Sequence, residues 1–324
     1  MAKLYLETEL EKVFSEDSYG YRPKKSAIDA VGKARERCWK YSYVVDLDIK
    51  GFFDNIDHVL MMKAVRKHTE EKWILLYIER WLKTSVILED GTEEIRTKGT
   101  PQGGVISPLL ANLYLHYALD KWLEKIHPRV KYERYADDMV LHCKSREEAE
   151  LVLSGIRSRL KQCDLELHPD KTKIVYCKDD RRTKDEAIVS FDFLGYTFRP
   201  RGAKTRKGEL FVGFNPAISK KAKKRISERI RSLNINRVTD RKIEDIAGEI
   251  NAMVRGWINY YGHFNKAEML RTINQINVRL LRWVKRKYRK GMRKALKWLQ
   301  NIMETNKKLF SHWESGFCAF YMIG

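Results

Sequence analysis

Apolar and polar positions follow two different periods along this chain, and the two periods separate candidate helices from candidate strands. Residues 42–49, SYVVDLDI, show the two-residue period of a strand. The helical period predicts helices over residues 4–14 and 26–40, from the N-cap residue Asp57 onward, and after Ser107-Pro108. Two further candidate helices are EKWILLYIERWL and SREEAELVLSGIRSRLKQC.

Short strand-like runs joined by turn residues indicate hairpins between these helices. VILEDGTEEIRTK is typical of a β-hairpin about the Asp90-Gly91 turn. Two strands flank Asp137-Asp138, and a shorter strand is expected near residues 173–177. FDFLGYTF predicts another strand, and a hairpin continues from it to ELFVGF.

The composition changes after about Phe214, where the chain becomes wholly helical and strongly basic. We therefore expect the fold class α+β, with an α+β domain over residues 1–214 and an all-α domain over residues 215–324. The whole chain has 64 Lys and Arg against 43 Asp and Glu, a net charge of +21. An excess of this size favours a polyanionic partner, and nucleic acid is the natural one.

Cysteine usage and hydropathy constrain the environment of the protein. The five cysteines form no CxxC pair and no Cys/His zinc spacing, and no signal peptide precedes them. This pattern favours a reducing, cytoplasmic compartment and argues against structural zinc. No apolar run approaches the length of a membrane span, so we expect no membrane partner.

Acidic residues lie on two of the predicted strands and are the candidate catalytic groups. In YVVDLDIKGFFDNIDH, Asp46 and Asp48 share one strand face, and a second acidic strand carries Asp137 and Asp138. Neighbouring carboxylates repel each other unless a cation lies between them, and their oxygens suit Mg²⁺. Two such ions can align an attacking and a leaving oxygen, as polymerases require. A doublet of aspartates alone is more often a surface feature.

The surrounding motifs make the catalytic interpretation more specific. TKGTPQGGVISPLLANLYL is a Gly/Pro-rich turn leading into a helix, where the backbone can approach a phosphate or base and Gln102 can hydrogen-bond in two directions. A strand end of the form D-x-K-x-F-F-D, then PQGG-x-x-SP, YADD and FLGY follow in that order. Together these motifs are far more specific than any one of them.

The sequence resembles the group II intron-encoded reverse transcriptase/maturases of bacteria. The blocks that carry the resemblance run from about Ser18 to Phe264, and KLFSHWESG near the end also resembles the family. In order, the blocks are SYGYRPKKSAIDAV, DLDIKGFFDNIDH, GTPQGGVISPLLANLYLHYALD, RYADDMVLHCKS, LELHPDKTKIVY, FLGYTF and RGWINYYGHF.

This resemblance implies a reverse-transcriptase palm with partial fingers, followed by a helical thumb/maturase domain. It implies that Asp48, Asp137 and Asp138 are the catalytic ligands of two Mg²⁺ ions, and that the Ile49 carbonyl is a backbone ligand. Asp46 shares the strand face of Asp48, but the family pattern favours Asp48 as the ligand. It implies a nucleotide-binding set that includes a gate against the ribose 2′-OH at either Phe52 or Phe53. The rest of that set is Gln102, Gly103 and Lys171. Lys171 would lie near the triphosphate, although a solvated strand-end lysine is an equal alternative. FLGYTF would hold the primer end.

The basic helical region is the candidate RNA-binding surface. In RWVKRKYRKGMRK, eight of the thirteen residues are Lys or Arg. An apolar stripe at helical spacing is expected to pack while the charges project toward an RNA duplex. The stripe consists of Val284, Tyr288, Met292, Ala295 and Leu299. The candidate RNA-binding residues are Lys220, Lys221, Lys223, Lys224, Arg282, Lys285, Arg286 and Arg289.

Aromatic residues are also concentrated in this region. In RGWINYYGHF, Trp257, Tyr260, Tyr261 and Phe264 lie close together and could stack on bases. Since their spacing is helical, we expect roughly two-thirds of them to lie in the core instead.

The family pattern differs from this sequence at the front. The family has two further blocks before SYGYRP, including a basic fingers hairpin, whereas this sequence starts at Met1 about where the next helix belongs. We therefore expect partial fingers, no C-terminal nuclease module, and a separate N-terminal fragment as a candidate partner.

Three functions follow from these observations. The leading one is an RNA-directed DNA polymerase that uses an RNA template, a DNA primer and dNTPs and also binds its intron RNA. The alternative is an RNA-binding splicing cofactor with little or no polymerase activity, because the fingers are truncated. A two-metal nuclease fits less well, because PQGG and FLGY would then have no role.

Overall fold

The computed structural model describes residues 1–87, 90–101, 103–205 and 207–318. The chain divides into two compact units. Unit 1 contains residues 1–194 and 199–214, and unit 2 contains residues 195–198 and 215–324. Helices and antiparallel sheets are both present, so the predicted α+β fold class is confirmed.

Unit 1 contains the mixed elements. Its helices are α1 (Ala2–Leu10), α2 (Ala27–Cys38), α3 (Phe52–Asn55), α4 (His58–Val65), α5 (Lys72–Leu82), α6 (Ser107–Leu115), α7 (Lys121–Ile126) and α8 (Arg146–Lys161). The chain between α6 and α7 forms one π-helical segment, His116–Asp120. Such wide turns are rare and are frequently found at functional sites.

The main sheet of unit 1 is antiparallel and contains the predicted acidic strands. Its strands, in sheet order, are β4 (Lys131–Tyr135), β5 (Asp138–Cys143), β1 (Tyr43–Leu47) and β6 (Lys173–Tyr176). The hairpin predicted about Asp90-Gly91 consists of the short strands β2 (Val86–Ile87) and β3 (Glu93–Glu94). A second sheet has the order β7 (Phe191–Phe193), β8 (Tyr196–Lys204) and β9 (Leu210–Ile218).

Capped amphipathic helices cover this sheet. The Ser145 side chain caps α8 by accepting a hydrogen bond from the backbone N–H of Glu148. Below that cap, α8 buries Ala149, Val152, Ile156 and Leu160 against β1, β5 and β6. Burying four apolar side chains of this size contributes several kcal/mol, at about 1.5–3 kcal/mol for each large one. This packing fixes the sheet that carries the acidic residues.

Unit 2 is built on helices. They are α9 (Lys220–Ser232), α10 (Ile243–Tyr261), α11 (Lys266–Lys287), α12 (Met292–Thr305) and α13 (Ser311–Glu314), with a 3₁₀ turn over Ile235–Arg237. Asn251 clamps the segment before α13 to α10, because its side chain donates to the Leu309 carbonyl and accepts from the Ser311 N–H.

The apolar stripe predicted across residues 284–299 is interrupted in the structure. Helix α11 ends at Lys287, and Arg289 adopts a left-handed backbone conformation with φ +48° before α12 begins. Val284, Ala295 and Leu299 are buried as predicted, but Tyr288 and Met292 are exposed. The prediction was wrong for these two residues because they lie at the turn, where the helical register does not continue.

The aromatic cluster of unit 2 belongs mainly to the packing of the unit. Tyr261 is buried, Trp257, Tyr260 and Phe264 are half-buried, and three of these rings surround Tyr196. All five cysteines are free thiols, and no helix within the described ranges is long and apolar enough to cross a bilayer.

Candidate active site

The pairing of β1 with β5 brings the acidic residues together where these two central strands of the main sheet end, and we call this end of the sheet its acidic edge. Leu47 pairs with Met139, so Asp48, one residue beyond β1, comes beside Asp138, the first residue of β5. The backbone of Asp48 is fixed on its other side, where its carbonyl accepts the His168 N–H at 2.8 Å. The observed register therefore holds Asp48 and Asp138 next to each other.

Ile49 follows in an isolated antiparallel bridge with Leu167. The two hydrogen bonds of that bridge use the Asp48 carbonyl and the Lys50 N–H, which donates to Glu166. The Ile49 carbonyl takes no part in this pairing. Its role as a backbone metal ligand stays a prediction.

Asp137 lies on the tight turn that joins β4 to β5. Tyr135 pairs with Asp138, which leaves Ala136 and Asp137 as a two-residue hairpin loop. Ala136 adopts φ +57°, a left-handed conformation that costs a residue with a side chain about 1 kcal/mol or more. Such a strained turn persists only when its surroundings hold it in place.

A fully buried guanidinium holds this turn. The Arg134 side chain donates to both Asp120 carboxylate oxygens, at 2.8 and 2.5 Å, and to Asn112 Oδ1 at 2.9 Å. It also donates to the carbonyl of the strained Ala136 at 3.2 Å. Arg134 and Asp120 have no exposed side-chain surface, so their charges depend on each other.

The loop at residues 17–20 closes over the same turn. Tyr19 N–H donates to the Arg134 carbonyl at 2.7 Å, and Asn112 Nδ2 donates to the Gly20 carbonyl at 2.6 Å. A Cβ at Gly20 would lie 2.4 Å from the Ala136 nitrogen, closer than real Cβ atoms approach backbone. Gly20 is therefore required for the loop to reach the turn between β4 and β5.

The carboxylates at this edge interact electrostatically. Burial raises the pKa of Asp137, and the charge of Asp48 raises it further, whereas Lys171 opposes the rise. The Lys171 ammonium lies 3.0 Å from Asp48 Oδ2, with more than half of its side chain exposed. Lys171 was predicted from the sequence near the triphosphate, and in the structure it faces a predicted metal ligand.

Asp46 belongs to the same face but behaves differently. Burial raises its pKa to about 7, and the Asp138, Asp192 and Asp48 carboxylates add to this effect. Lys173, 3.7 Å away, opposes it. Because a ligand carboxyl must lose its proton to bind a metal, the raised pKa makes Asp46 a weaker candidate ligand.

The residues at this edge fit a divalent cation by their chemistry. They offer oxygen donors only, and a cation would relieve the repulsion that raises the pKa of Asp137. Among the described residues, no three Asp, Glu, His or Cys side chains gather closely enough to hold an ion together. The Asp48 carboxylate is paired with Lys171 instead.

Burial distinguishes the two phenylalanines that follow Asp48. Phe52 is only 2% exposed and packs in the core of unit 1 beside Tyr114, whereas Phe53 is partly exposed. The Phe53 carbonyl accepts the Thr100 N–H at 2.8 Å, which ties the turn containing Gly103 to α3. Gly103 adopts φ +89°, and Gln102 lies outside the described residues.

The predicted RNA-binding residues fall into two groups in unit 2. On α9, Lys220 and Lys221 are exposed, Lys223 pairs with Glu268, and Lys224 lies 4.0 Å from Glu228. The second group lies in the last turns of α11 and just beyond it, and consists of Arg282, Lys285, Arg286 and Arg289.

Sequence reasoning missed several residues that shape these sites. In unit 1 they are Asp17, Gly20, Asn112, Asp120 and Arg134. The available signal was a charged residue inside an aromatic strand, KYERY, since a charge there must find a buried partner. In unit 2 the missed residues are Arg231 and Arg279.

Two family models match the chain. Residues 1–198 match the model described as reverse transcriptase (RNA-dependent DNA polymerase). Residues 223–300 match the model described as group II intron, maturase-specific domain. The two matches follow each other along the chain and cover the acidic sheet edge and most of the basic helices.

Curated relatives show similarity over part of their length. The group II intron-encoded protein LtrA of Lactococcus lactis subsp. cremoris is 31% identical over 182 residues, which span 56% of this chain and 29% of LtrA. Protein YkfC of Escherichia coli K12 is 31% identical over 250 residues, spanning 62% of this chain and 59% of YkfC. The chain thus spans less than two-thirds of either relative.

A solved structure shares the fold. Apo telomerase from Candida tropicalis superposes with a TM-score of 0.52 at 11% identity, covering 98% of this chain and 59% of that one. At this identity the likeness concerns the fold alone.

Proposed function

We propose that this chain, which belongs to the reverse transcriptase (RNA-dependent DNA polymerase) family, extends a DNA primer on an RNA template and binds group II intron RNA. The resemblance inferred from the motifs is confirmed by the two family matches. The observation that carries the polymerase proposal is the register of β1 and β5, which sets Asp48 beside Asp138, with Asp137 on the adjoining turn.

The residues at this edge have distinct roles in the proposed reaction. Asp48, Asp137, Asp138 and the Ile49 carbonyl would hold two Mg²⁺ ions. When bound, these ions supply the positive charge that stabilises the phosphoryl group during transfer. The primer 3′-oxygen attacks the α-phosphorus of the incoming dNTP, and pyrophosphate leaves. Lys171, already beside Asp48, provides a further positive charge for the triphosphate.

The remaining nucleotide contacts come from the turn and from α3. Phe53 is our choice for the gate against the ribose 2′-OH, because Phe52 is committed to the core. Gly103 allows the backbone of the turn to approach the nucleotide, and Gln102 is proposed beside it.

A second function is supported by unit 2. We assign residues 1–214 to fingers and palm and residues 215–324 to a thumb/maturase domain that binds intron RNA. The match of residues 223–300 to the maturase-specific domain supports this assignment. A splicing cofactor without polymerase activity is the alternative, and a reducing bacterial cytoplasm suits the five free thiols.

Primer extension tests the proposed function directly. With oligo(dT) on poly(rA), dTTP and Mg²⁺, we expect the chain to extend the primer, and excess EDTA should stop extension because the carboxylates then lack a cation. Gel electrophoresis of a labelled primer measures the products. Tight binding of the template–primer without extension would contradict the polymerase and leave the splicing cofactor.

Replacing Phe53 with Val should admit ribonucleotides. Removing the ring opens the space that a 2′-OH would need, so we expect the ratio of rUTP to dTTP incorporation to rise by about 10–100-fold. Single-nucleotide extension measures kcat/KM for each substrate. Phe52→Leu is the matched control: it should lower stability by about 1 kcal/mol and leave the ratio unchanged. The reverse pattern would assign the gate to Phe52.

A further inference from the structure

Guanidinium groups converge where α9 packs against α11 in unit 2. The packing is fixed by Gln275 Nε2, which donates to Ser227 Oγ at 2.8 Å. One turn further along each helix, Arg231 follows Ser227 on α9 and Arg279 follows Gln275 on α11. Arg282 and Arg286 continue the same face of α11, because residues three and four apart are neighbours on a helix. We call these four arginines the arginine cluster.

Arg231 and Arg282 repel Arg279, and none of the four arginines has an acidic partner among the described residues. Burial lowers the pKa of Arg279, and the charges of Arg282 and Arg231 lower it further. No carboxylate of the described residues lies within salt-bridge distance of any member of the cluster. Neighbouring like charges are unfavourable on a helix, so the free protein is destabilised at this position.

The cluster is also held in place. Arg279 Nη1 lies 3.5 Å from Asn236 Oδ1, and Arg286 Nη1 donates to the Asn236 carbonyl at 3.4 Å. Between them, Trp283 Nε1 donates to the Val238 carbonyl at 2.9 Å and anchors the same loop. Part of the conformational entropy that these long side chains would lose on binding is therefore already lost in the free protein.

The lysine face of α9 offers a contrast. Lys223 is paired with Glu268, and Lys224 lies near Glu228, so acids already offset part of that charge. Arginine also presents a planar fork that matches two phosphate oxygens, whereas an ammonium acts as a point charge. Of the two basic regions, the arginine cluster has the better chemistry for a specific anion.

We propose that Arg231, Arg279, Arg282 and Arg286 form a phosphate-binding site that holds the backbone of an RNA duplex. This inference rests on the proposed RNA binding of unit 2 and names the atoms that perform it. Phosphate contacts fix position without reading sequence, so the site should accept duplexes of unrelated sequence equally.

Charge-preserving substitutions test the site. In the full chain, Arg231→Lys, Arg279→Lys and Arg282→Lys together keep every charge but remove the guanidinium forks. We expect affinity for a 16-base-pair RNA duplex to fall at least tenfold in fluorescence anisotropy at 150 mM salt. The matched control changes three exposed arginines outside the cluster, Arg229, Arg241 and Arg271, to Lys, and should bind like the wild type. Equal binding by all three proteins would overturn the site and leave RNA binding intact.

A second measurement separates the site from the proposed function. Inorganic pyrophosphate at millimolar concentration should raise the melting temperature of the wild type, because a ligand stabilises the state it binds. The cluster variant should lose that rise while keeping its melting temperature in plain buffer. If the wild type binds no RNA yet shows this shift, the phosphate site stands and the RNA function fails. If pyrophosphate produces no shift and RNA does not bind, both fail.

Discussion

Replacing Asp48 with Asn should lower the rate of primer extension by about 10³-fold or more. The substitution keeps the shape of the side chain and removes one of the charges proposed to hold Mg²⁺. Loss of about 4 kcal/mol of stabilisation in the transition state corresponds to a factor of about 10³. Single-turnover extension on oligo(dT)/poly(rA) measures the rate, and anisotropy with the same duplex should show unchanged binding.

Asp46 provides a matched control for this experiment. Asp46→Asn makes the same change on the same face of the sheet, but burial raises the pKa of this group to about 7, so the substitution removes less negative charge. We expect its extension rate to stay within a few-fold of the wild type. A loss at Asp46 equal to that at Asp48 would contradict the assignment of Asp48 as the ligand.

Asp46→Asn should also change how the free energy of unfolding depends on pH. The native protein keeps the Asp46 proton between about pH 4 and pH 7, whereas the unfolded chain loses it near pH 4. Stability therefore falls as pH rises through this window. Asp46→Asn should remove that slope, which urea unfolding at pH 5 and pH 8 measures.

Replacing Arg134 with Met should destabilise unit 1 by about 3–5 kcal/mol. The change leaves the buried Asp120 carboxylate without its guanidinium partner, with only His116 beside it, and a broken buried pair typically costs this much. The pair lowers the pKa of Asp120 against the effect of burial, so its stabilisation is lost as pH falls through that lowered pKa. Denaturant unfolding at pH 7 measures the loss, and Glu150→Ala, which breaks an exposed pair with Arg146, should cost less than about 1 kcal/mol.

A double substitution separates stability from positioning. Arg134→Met with Asp120→Leu removes both charges, and well-packed apolar replacements of a buried pair are often neutral for stability. The Ala136 carbonyl still loses its donor, so we expect extension to remain about tenfold below wild type even if stability recovers. Full recovery of both properties would show that Arg134 acts on stability alone.

The sequence allowed prediction of those features that depend on local pattern. The alternation around Asp48 predicted β1, and the strands flanking Asp137-Asp138 predicted the β4–β5 hairpin. The Asp90-Gly91 turn and the helix after Ser107 also follow from local turn and capping chemistry. Together with the order of the motifs, these elements were sufficient to predict the fold class and the family.

Features that depend on tertiary contacts could not be predicted in this way. Phe52 and Phe53 are chemically identical and adjacent, and only packing against Tyr114 shows that Phe52 is buried. Arg134 resembles any strand arginine until Asp120 and Asn112 come beside it. In the sequence, the helical spacing of apolar residues continues through Tyr288 and Met292. The turn at Arg289 contains no Pro, so nothing in the pattern indicates that the helix ends there.

The loop that closes on the catalytic turn has a consequence for biosynthesis. Gly20 meets Asn112, 92 positions later in the chain, and the strained turn at Ala136 lies further on still. Contacts of such long range form late in folding, because the loop between them must first be closed at an entropic cost. On the ribosome, the early segment emerges long before its partners exist and remains exposed to proteases until they arrive. A nascent chain stalled before β4 would contain Gly20 and Asp48 and still lack both Arg134 and the turn that carries Asp137.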